Sequence, residues 1–348
     1  MTEDSLAEFS SLEIDPLIAD RPAEPRDSSR LIVVRRSDGG LLHKNFRDLP
    51  EFLGPGDLLV LNRSKVWKAR LEAVKATGGK SEILLMAPAG TDGLVWTGLC
   101  RKIVPGQVLT CPAGRKAQCL ARNPDGSYTF RFSGPVEEAY LAENGAVPLP
   151  RYILKARSRR GVQAPPDEPN YQTVYAAEAG SIAAHTAGFH FTPGLLARLS
   201  AAGVKTAFIT LHIGWGTFRP VRSEDPAAHV MMEEACEVAP EAAEAINAHK
   251  AAGGRVIAVG TSSMRTLETF SDEKGVVASG SGKAGLFILP GHRFKVAGAF
   301  ITNLHVPDSA PLYMTAAFAG RELLFKAYTE AVKEKYRFYS YGDSMFLC

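Results

Sequence analysis

The chain has 348 residues, 45% of them hydrophobic, which is enough to fill the core of one large domain and a smaller one. Forty basic against 37 acidic side chains give a formal net charge of +3, which excludes a histone-like or tail-driven nucleic-acid binder. Any contact with RNA must therefore come from a local patch. There is no apolar stretch long enough for a membrane helix and no signal-peptide pattern, so we predict a cytoplasmic protein with no membrane contact.

The cysteines and histidines show no spacing typical of a disulfide framework or a metal site. The five cysteines are odd in number and include no C-x-x-C pair. The closest histidines, His185 and His190, are five residues apart, whereas a separation of four would put both rings on one helix face. We therefore predict reduced cysteines and no metal ion.

In chain order, residues 1–29 are polar and acidic, and they predict an N-terminal arm that is mostly flexible or laid on the surface. Apolar runs at 31–34 and 58–61 predict the first strands, the second of them after a Gly-Pro-Gly-Asp turn. Residues 66–149 contain short alternating runs separated by glycine turns, at 70–73, 82–85, 94–98, 107–109, 117–120 and 128–132. Six short strands of this kind predict a small antiparallel β-barrel inserted into a host domain.

Helices and strands alternate after residue 150, which predicts that 30–65 and 150–348 together form an α/β catalytic domain. Thr192 and Pro193 predict the start of a helix that runs to Gly203, followed by a buried strand over 204–211. A helix over 240–252, a strand over 256–259, a third apolar run that ends at Asn303 and a helix over 320–335 complete the pattern.

The usual phosphate-binding loops are missing from the sequence. Gly79-Lys80-Ser81 resembles the end of such a loop, but position 74, where glycine is required, is Val74. No G-x-G-x-x-G string opens a helix after the first strand of an α/β unit. The sequence therefore predicts neither a nucleoside triphosphate loop nor a dinucleotide fold.

Five polar or glycine-rich segments lie at or near the ends of predicted strands, where α/β sheets bind ligands. They are 180–191, 211–221, 260–263, 302–307 and 335–345. Each has a plain structural interpretation on its own, such as a helix-entry loop with a structural histidine or an ordinary helix N-cap. The hydroxyls and free N–H groups at 260–263 also suit an anion.

Together these segments resemble one family, the S-adenosylmethionine:tRNA ribosyltransferase-isomerases of queuosine biosynthesis. The strings T-A-G-x-H-F, L-H-x-G-x-G-T-F-x-P-V, G-T-x-S-x-R-x-L-E and Y-R-F-x-S-Y-G-D-x-M occur in that order, beginning at Thr186, Leu211, Gly260 and Tyr336. Residues 58–66, 69–71 and 171–176 also match, so the resemblance extends from near residue 14 to the C-terminus. It implies an α/β domain interrupted by a β-barrel.

The resemblance also implies an activity. Enzymes of this family move the ribosyl part of S-adenosylmethionine onto the aminomethyl group of 7-aminomethyl-7-deazaguanine, at the wobble position of a tRNA anticodon. The product is epoxyqueuosine, and adenine and methionine are released. Because S-adenosylmethionine is consumed as a substrate, the resemblance implies no cofactor and no metal. The implied partners are the donor and the tRNA anticodon arm, and a monomer is expected.

This chemistry needs a base for a ribose C5′ proton that the sulfonium acidifies, and a proton donor or hydrogen bonds for the departing adenine. The catalytic candidates are His190, His212, His305 and Glu234, with no choice made among them as the base. We expect Thr261, Ser262 and Arg265 to hold the methionine carboxylate, and Tyr341 with Asp343 to hold the nucleoside. The substrate-binding candidates are Asn62, Thr186, Gly188, Gly214, Gly216, Thr217, Thr261, Ser262, Arg265, Asn303, Tyr341 and Asp343.

The chain departs from the family pattern within these segments, at His185, Phe189, Met232 and Leu304. Two alternatives therefore stay open beside the family reaction. One is a paralogue that acts on S-adenosylmethionine with a different, non-tRNA acceptor. The other is a non-catalytic protein that binds tRNA or a nucleoside on the same scaffold.

A basic run follows the predicted barrel. Five cations within ten residues lie on the connection to the α/β domain, where an anticodon arm would need contacts to its phosphates. The alternative is a solvated loop. The predicted tRNA contacts are Arg151, Lys155, Arg157, Arg159 and Arg160.

Overall fold

A nine-stranded mixed sheet lies at the centre of the larger part of the protein. The computed structural model describes residues 6–161, 167–214, 216, 221 and 226–348. The strands of the described residues belong to this sheet, to a barrel and to a two-stranded sheet. In chain order they are β1 Arg30–Val34, β2 Leu41–Asn45, β3 Asp57–Asn62, β4 Ser64–Val66, β5 Arg70–Lys75, β6 Lys80–Pro88, β7 Val95–Cys100, β8 Val108–Thr110, β9 Lys116–Arg122, β10 Tyr128–Phe132, β11 Glu178–Ser181, β12 Lys205–Leu211, β13 Glu234–Val238, β14 Arg255–Val259, β15 Gly280–Ala284, β16 Ala299–Asn303 and β17 Ser344–Leu347.

The α-helices of the described residues lie between these strands or after the barrel. They are α1 Glu138–Asn144, α2 Arg151–Arg160, α3 Pro193–Ala201, α4 Pro240–Ala251, α5 Gly260–Phe270, α6 Ala310–Ala319 and α7 Arg321–Lys333. Thr192 caps α3 as predicted, since its hydroxyl accepts a hydrogen bond from the backbone N–H of Leu195 at 3.1 Å. Helix α5 begins at Gly260, directly after β14.

The large sheet has the strand order β15-β13-β12-β3-β14-β16-β17-β1-β2. Strands β12, β3, β14 and β16 run parallel to one another, as helical crossovers require. Their residues alternate between two cores. In β3, Leu58 and Val60 face the core that contains α4 to α7, whereas Leu59 and Leu61 face the core that contains α3. The sheet is therefore covered on both faces.

The second body is a closed barrel with the strand order β10-β7-β6-β5-β8-β9. All its strand pairs are antiparallel, and its core includes Trp96, Phe130 and Phe132. The chain enters at β5 and leaves after β10, and the two connections lie close together because Arg70 forms a bridge with Ala146. The prediction of an α/β domain with an inserted antiparallel barrel is confirmed.

The described part of the predicted N-terminal arm, residues 6–29, is laid on the surface of the α/β domain. Phe9 is fully buried and makes edge-to-face contacts with Phe325 and Tyr328 of α7. Ile18 forms a parallel bridge with Phe338. Apolar side chains spaced along a polar segment are thus sufficient to hold it on a preformed surface.

Candidate active site

The four central parallel strands end at one edge of the sheet, and the candidate residues lie there. Strands β3, β12, β14 and β16 end at Asn62, Leu211, Val259 and Asn303. Glu234 begins the antiparallel β13 at the same edge, because Leu211 pairs with Cys236. Segments that are far apart in the sequence therefore meet where an α/β sheet binds its ligands.

His190 is buried, and both of its ring nitrogens are hydrogen-bonded. The amide nitrogen of Asn303 donates to Tyr339 O at 2.9 Å, which turns its Oδ1 toward Nε2 of His190 at 3.2 Å. Nε2 therefore carries the proton, and Nδ1 accepts from the Ser29 hydroxyl at 2.7 Å. Burial lowers the pKa of His190 to about 4, so the ring is neutral at pH 7.

His185 is a second buried neutral histidine, close to the first turn of α5. Its Nδ1 lies 2.8 Å from the Ser262 hydroxyl, and its Nε2 has no hydrogen-bond partner among the described residues. Burial lowers its pKa to about 4. Its ring packs so closely on Gly260 that a Cβ there would collide with it, and Gly260 also has a φ of +81°. Two separate reasons, the backbone conformation and the close contact, therefore require glycine at position 260.

His212 follows β12 directly, and His305 lies two residues after the end of β16. Burial is the main cause of a lowered pKa in both rings, to about 3 for His305. His305 lies with Nε2 at 2.7 Å from the Thr302 hydroxyl. His212 is half-buried, packs over Gly180, and has no partner for its Nδ1 among the described residues. Nδ1 of His212 therefore makes no hydrogen bond among the described residues, whereas Nε2 of His305 is hydrogen-bonded to Thr302.

Glu234 is fixed by a buried ion pair with Arg265. One carboxylate oxygen accepts from an Nη of Arg265, and the other accepts from the backbone N–H of Gly214 at 2.8 Å. Arg265 also donates to the carbonyl of Ala284, while its Nε has no partner among the described residues. Both side chains are about 5% exposed. Glu234 thus orients the guanidinium and the 212–214 loop.

An open cleft of about 440 Å³, counting the space at its mouth, lies over this ion pair. We name it the Arg265 cleft. Its polar wall is Glu234, Thr261, Ser262 and Arg265, and its remaining wall is apolar: Ile213, Met231, Leu286, Phe287, Ile288, Ala310, Pro311 and Met314. A cleft with an apolar wall and few polar groups suits a ligand with an aliphatic part and one anionic end.

A smaller cavity of about 200 Å³, counting the open space at its mouth, lies at the same edge and is here called the His190 pocket. It is lined by Pro22, Ala23, Arg26, Ser29, Phe189, His190, Ser340, Tyr341 and Gly342. The guanidinium of Arg26 lies 5.8 Å from the centroid of the Phe189 ring. The hydroxyl of Tyr341 is buried without a partner among the described residues. Sequence reasoning missed Arg26 and Ser29, because both belong to the segment predicted to be flexible.

Several other candidates are used by the fold itself. The amide of Asn62 is hydrogen-bonded to the backbone of Leu211 and Ser64, and the carboxylate of Asp343 accepts from the backbone of Arg30 and Arg337. Both side chains are buried, so they position strand ends, and neither presents an unused polar group to a ligand. Asn303 acts in the same way by orienting His190.

The remaining loop candidates lie near these groups. Thr186 begins a 3₁₀ turn that ends at Gly188, and a Cβ on Gly188 would collide with Tyr175. Gly214 contacts Glu234, and Gly216 packs against Met232. Thr217 lies outside the described residues.

The predicted tRNA-binding run is a helix, α2, rather than a loop, and three of its five cations have acidic partners. Arg157 is 6% exposed and makes a bidentate ion pair with Asp167 at 2.6 and 2.8 Å, so its donors are used within the fold. Arg159 pairs with Asp15 at 3.0 Å, and Arg160 pairs with Asp20 at 3.3 Å. Arg151 and Lys155 are exposed. Most of the run fastens the N-terminal segment to α2.

Two negative findings apply to the described residues. Within them, no three His, Cys, Asp or Glu side chains come close enough together to hold a metal ion. Their helices are all too short or too polar to cross a membrane.

Comparison with known proteins gives consistent matches over almost the whole chain. Residues 11–347 match the family described as queuosine biosynthesis protein. A protein of Symbiobacterium thermophilum named S-adenosylmethionine:tRNA ribosyltransferase-isomerase is 47% identical, over 95% of this chain and 96% of that protein. One from Anaeromyxobacter sp. (strain Fw109-5) with the same name is 45% identical over 98% of both. The crystal structure of S-adenosylmethionine tRNA ribosyltransferase from Thermotoga maritima is 34% identical, covers 95% of this chain and 96% of its own, and superimposes with a TM-score of 0.53.

Proposed function

The chain belongs to the queuosine biosynthesis protein family, and we propose that it is an S-adenosylmethionine-dependent tRNA ribosyltransferase-isomerase. It transfers the ribosyl part of S-adenosylmethionine to 7-aminomethyl-7-deazaguanine in tRNA and isomerises it to epoxyqueuosine, with release of adenine and methionine. The geometric observation that carries this proposal is the meeting of four distant hallmark segments at one sheet edge, beside two cavities. Relatives of this identity and coverage do not favour the paralogue or the non-catalytic binder.

The reaction requires a base that is unprotonated at pH 7 close to a sulfonium. Burial keeps the rings of His185, His190 and His305 neutral, so each is in the form that accepts a proton. We assign the first proton transfer to His212, because its Nδ1 has no partner among the described residues and the ring is half-buried at a strand end. The lone pair of His190 on Nδ1 is held toward the Ser29 hydroxyl, which fits a relay at the His190 pocket.

We place the methionine part of the donor in the Arg265 cleft. Thr261 and Ser262 lie in the first turn of α5, where backbone N–H groups and the helix dipole attract a carboxylate. The apolar wall suits the thioether chain. Arg265 shares its charge with Glu234, so it contributes as half of a neutral pair, and the helix terminus is the main anion site in this proposal.

We place the acceptor base of the tRNA anticodon arm in the His190 pocket. The buried rings of Phe189 and Tyr341 line this pocket with apolar surface, and Arg26 lies beside them. The desolvated surroundings would keep the attacking amine neutral. We further propose a monomer that needs no metal or cofactor and acts in the cytoplasm, where its tRNA substrate is found.

The direct test is incubation of the purified protein with S-adenosylmethionine and tRNA that carries the aminomethyl-deazaguanine. We expect adenine and methionine in equal amounts, and epoxyqueuosine in the digested tRNA by mass spectrometry. Formation of S-adenosylhomocysteine in their place would identify a methyltransferase and reject the proposal.

The assignment of the histidines has its own test. His212→Ala should slow the chemical step by about 10²-fold while the affinity for S-adenosylmethionine changes little, as for a general base. His305→Ala should have an effect of the same order. Single-turnover adenine release separates chemistry from binding, and Ser309→Ala, a change close to His305 but outside the proposed machinery, is the control. Normal single-turnover rates in both histidine variants would place the base elsewhere.

A further inference from the structure

The positive charge of this protein is concentrated in its barrel. Between residues 66 and 132 there are ten Lys or Arg and only four Asp or Glu, an excess of six positive charges, whereas the whole chain has a net charge of +3. The rest of the chain is therefore slightly acidic. An excess of this size on one small body is the electrostatic pattern that a polyanion recognises.

Half of these cations gather at one end of the barrel. Strand β5 ends at Lys75 and β6 begins at Lys80, while β7 ends at Cys100 and β9 at Arg122. Ile83 pairs with Cys100 and Arg122 with Tyr128, so these strand ends share one rim, away from the connections at Arg70 and Ala146. We call these five residues the rim cluster: Lys75, Lys80, Arg101, Lys102 and Arg122.

The rim cluster is solvent-facing and lacks acidic partners. Four of its members are exposed, and none of the five forms an ion pair with any residue that the structure describes. The fifth member, Lys75, is partly buried. Its ammonium donates to the carbonyl of Lys102 and so joins the loop after β5 to the loop after β7. Val74, Val104 and Val108 lie among these cations with 44%, 56% and 41% of their surface exposed. A surface with this concentration of uncompensated positive charge attracts a polyanion.

The barrel stands beside the active-site edge of the sheet. Strand β3 ends at Asn62 in the site, and β4, four residues before the barrel, pairs with β11. The backbone N–H of Trp67 donates to Ser181 O at 2.9 Å, and that of Ile182 donates to Ile213 O at 3.0 Å. The loop that carries His212 is thus joined through 181–182 to the root of the barrel. A nucleic acid with one base in the site would therefore extend along the barrel.

On the basis of the proposed function, we propose that the rim cluster binds phosphates of the tRNA outside the anticodon nucleotides that enter the site. The closed barrel has no free strand edge, so the recognition is by exposed cations rather than by strand addition. These contacts carry affinity and orientation, and they carry no base specificity.

The experiment compares wild type with the triple variant Lys80→Gln, Arg101→Gln, Arg122→Gln. Binding of tRNA is titrated at several salt concentrations, and KM for tRNA and kcat are measured by adenine release. Each lost phosphate contact should flatten the slope of log K against log salt by about 0.7 to 0.9, so we expect a change of about 2 and a fall in affinity of about tenfold or more near 0.1 M salt. KM for tRNA should rise while kcat and S-adenosylmethionine binding stay the same.

The matched control is Lys205→Gln, Lys274→Gln, Arg293→Gln, which removes the same charge from exposed positions in the α/β domain. An equal loss of affinity in the control, or an unchanged slope in the rim variant, would overturn the proposal. The double variant Lys80→Gln, Arg122→Gln repeats the test if the triple variant melts early. If wild type binds tRNA but releases no adenine, the proposed function fails, while the slopes still decide whether the rim binds RNA.

Discussion

The cations of α2 and those of the rim cluster are similar in number and differ in what surrounds them. On α2, Arg157 is buried against Asp167, and Arg159 and Arg160 reach Asp15 and Asp20. On the rim, no described acidic side chain neutralises any of the five. The α2 run is dense in the sequence, whereas the rim residues are spread over almost fifty positions.

The difference shows that charge density along a chain does not reveal which cations are already paired in the fold. The acidic partners of α2 come from residues 15, 20 and 167, which are distant from some of the arginines that they neutralise. A paired arginine has already satisfied its donors, and moving it to a phosphate would leave a carboxylate without its counterion. Unpaired cations have no such cost, so the rim is the better surface for RNA.

Among the substitutions, Arg157→Ala has the largest expected effect on stability. This change leaves the carboxylate of Asp167 and the carbonyl of Asp20 without their donor in a mostly buried place. We expect a loss of about 3 kcal/mol in the free energy of unfolding, with little change in the salt slope of tRNA binding. Denaturant unfolding measures the free energy of unfolding. The control is Arg151→Ala, on the exposed side of the same helix. A stable variant with a flattened salt slope would reverse our comparison.

Acid should lower the stability of the protein through the buried histidines of the site, and not through the cations of α2 or the rim cluster. The pKa of His190 is lowered from 6.5 to about 4 by burial, and that of His185 likewise. Below pH 6.5 the unfolded chain binds protons that the folded chain does not, so stability is lost as the pH falls toward 4. The slope should be about 1.4 kcal/mol per pH unit for each such histidine. Denaturant midpoints between pH 7 and 4 measure it.

His190→Gln provides the comparison for this pH dependence, because it removes one titrating ring and keeps polar atoms near Ser29 and Asn303. Its unfolding free energy should fall less steeply with acid than that of wild type. The salt bridges of α2 should add to the pH dependence of stability only below pH 4. Burial raises the pKa of Asp20, but Arg21 and Arg160 outweigh burial and lower it, so its contribution is lost only at a pH below 3.8. Parallel slopes in wild type and variant would contradict the neutral state of His190.

A smaller effect is expected from Arg159→Gln, Arg160→Gln. Both arginines are partly exposed, so their ion pairs with Asp15 and Asp20 contribute about 1 kcal/mol or less each. The free energy of unfolding should fall slightly, and limited proteolysis should cut the N-terminal segment faster than in wild type. The tRNA salt slope should stay within error. A slope change as large as that of the rim variant would restore α2 as an RNA surface.

The smallest effect is expected from Arg151→Gln, Lys155→Gln. These are the exposed cations of α2, and they remain the positions at which that helix can contact phosphate. We expect a change in the salt slope well below that of the rim variant, and no change in stability. Titration at the same salt concentrations makes the two variants directly comparable.

The sequence alone was sufficient for the fold class and for the segments of the site. Alternation of small apolar runs between glycine turns marks a barrel locally, and the helix after Thr192 is specified by its own N-cap and proline. The hallmark strings are local too, so they made His190 and His212 candidate residues before any contact was known.

Tertiary structure decided everything that depends on a partner distant in sequence. It made Arg157 a structural residue, brought Ser29 to His190, committed Glu234 to Arg265, and fixed a polar arm on α7 through Phe9. Periodicity and caps act over a few residues, and they can be inferred from the sequence for that reason. Burial, ion pairing and the resulting pKa of a histidine depend on neighbours that only the folded chain brings together.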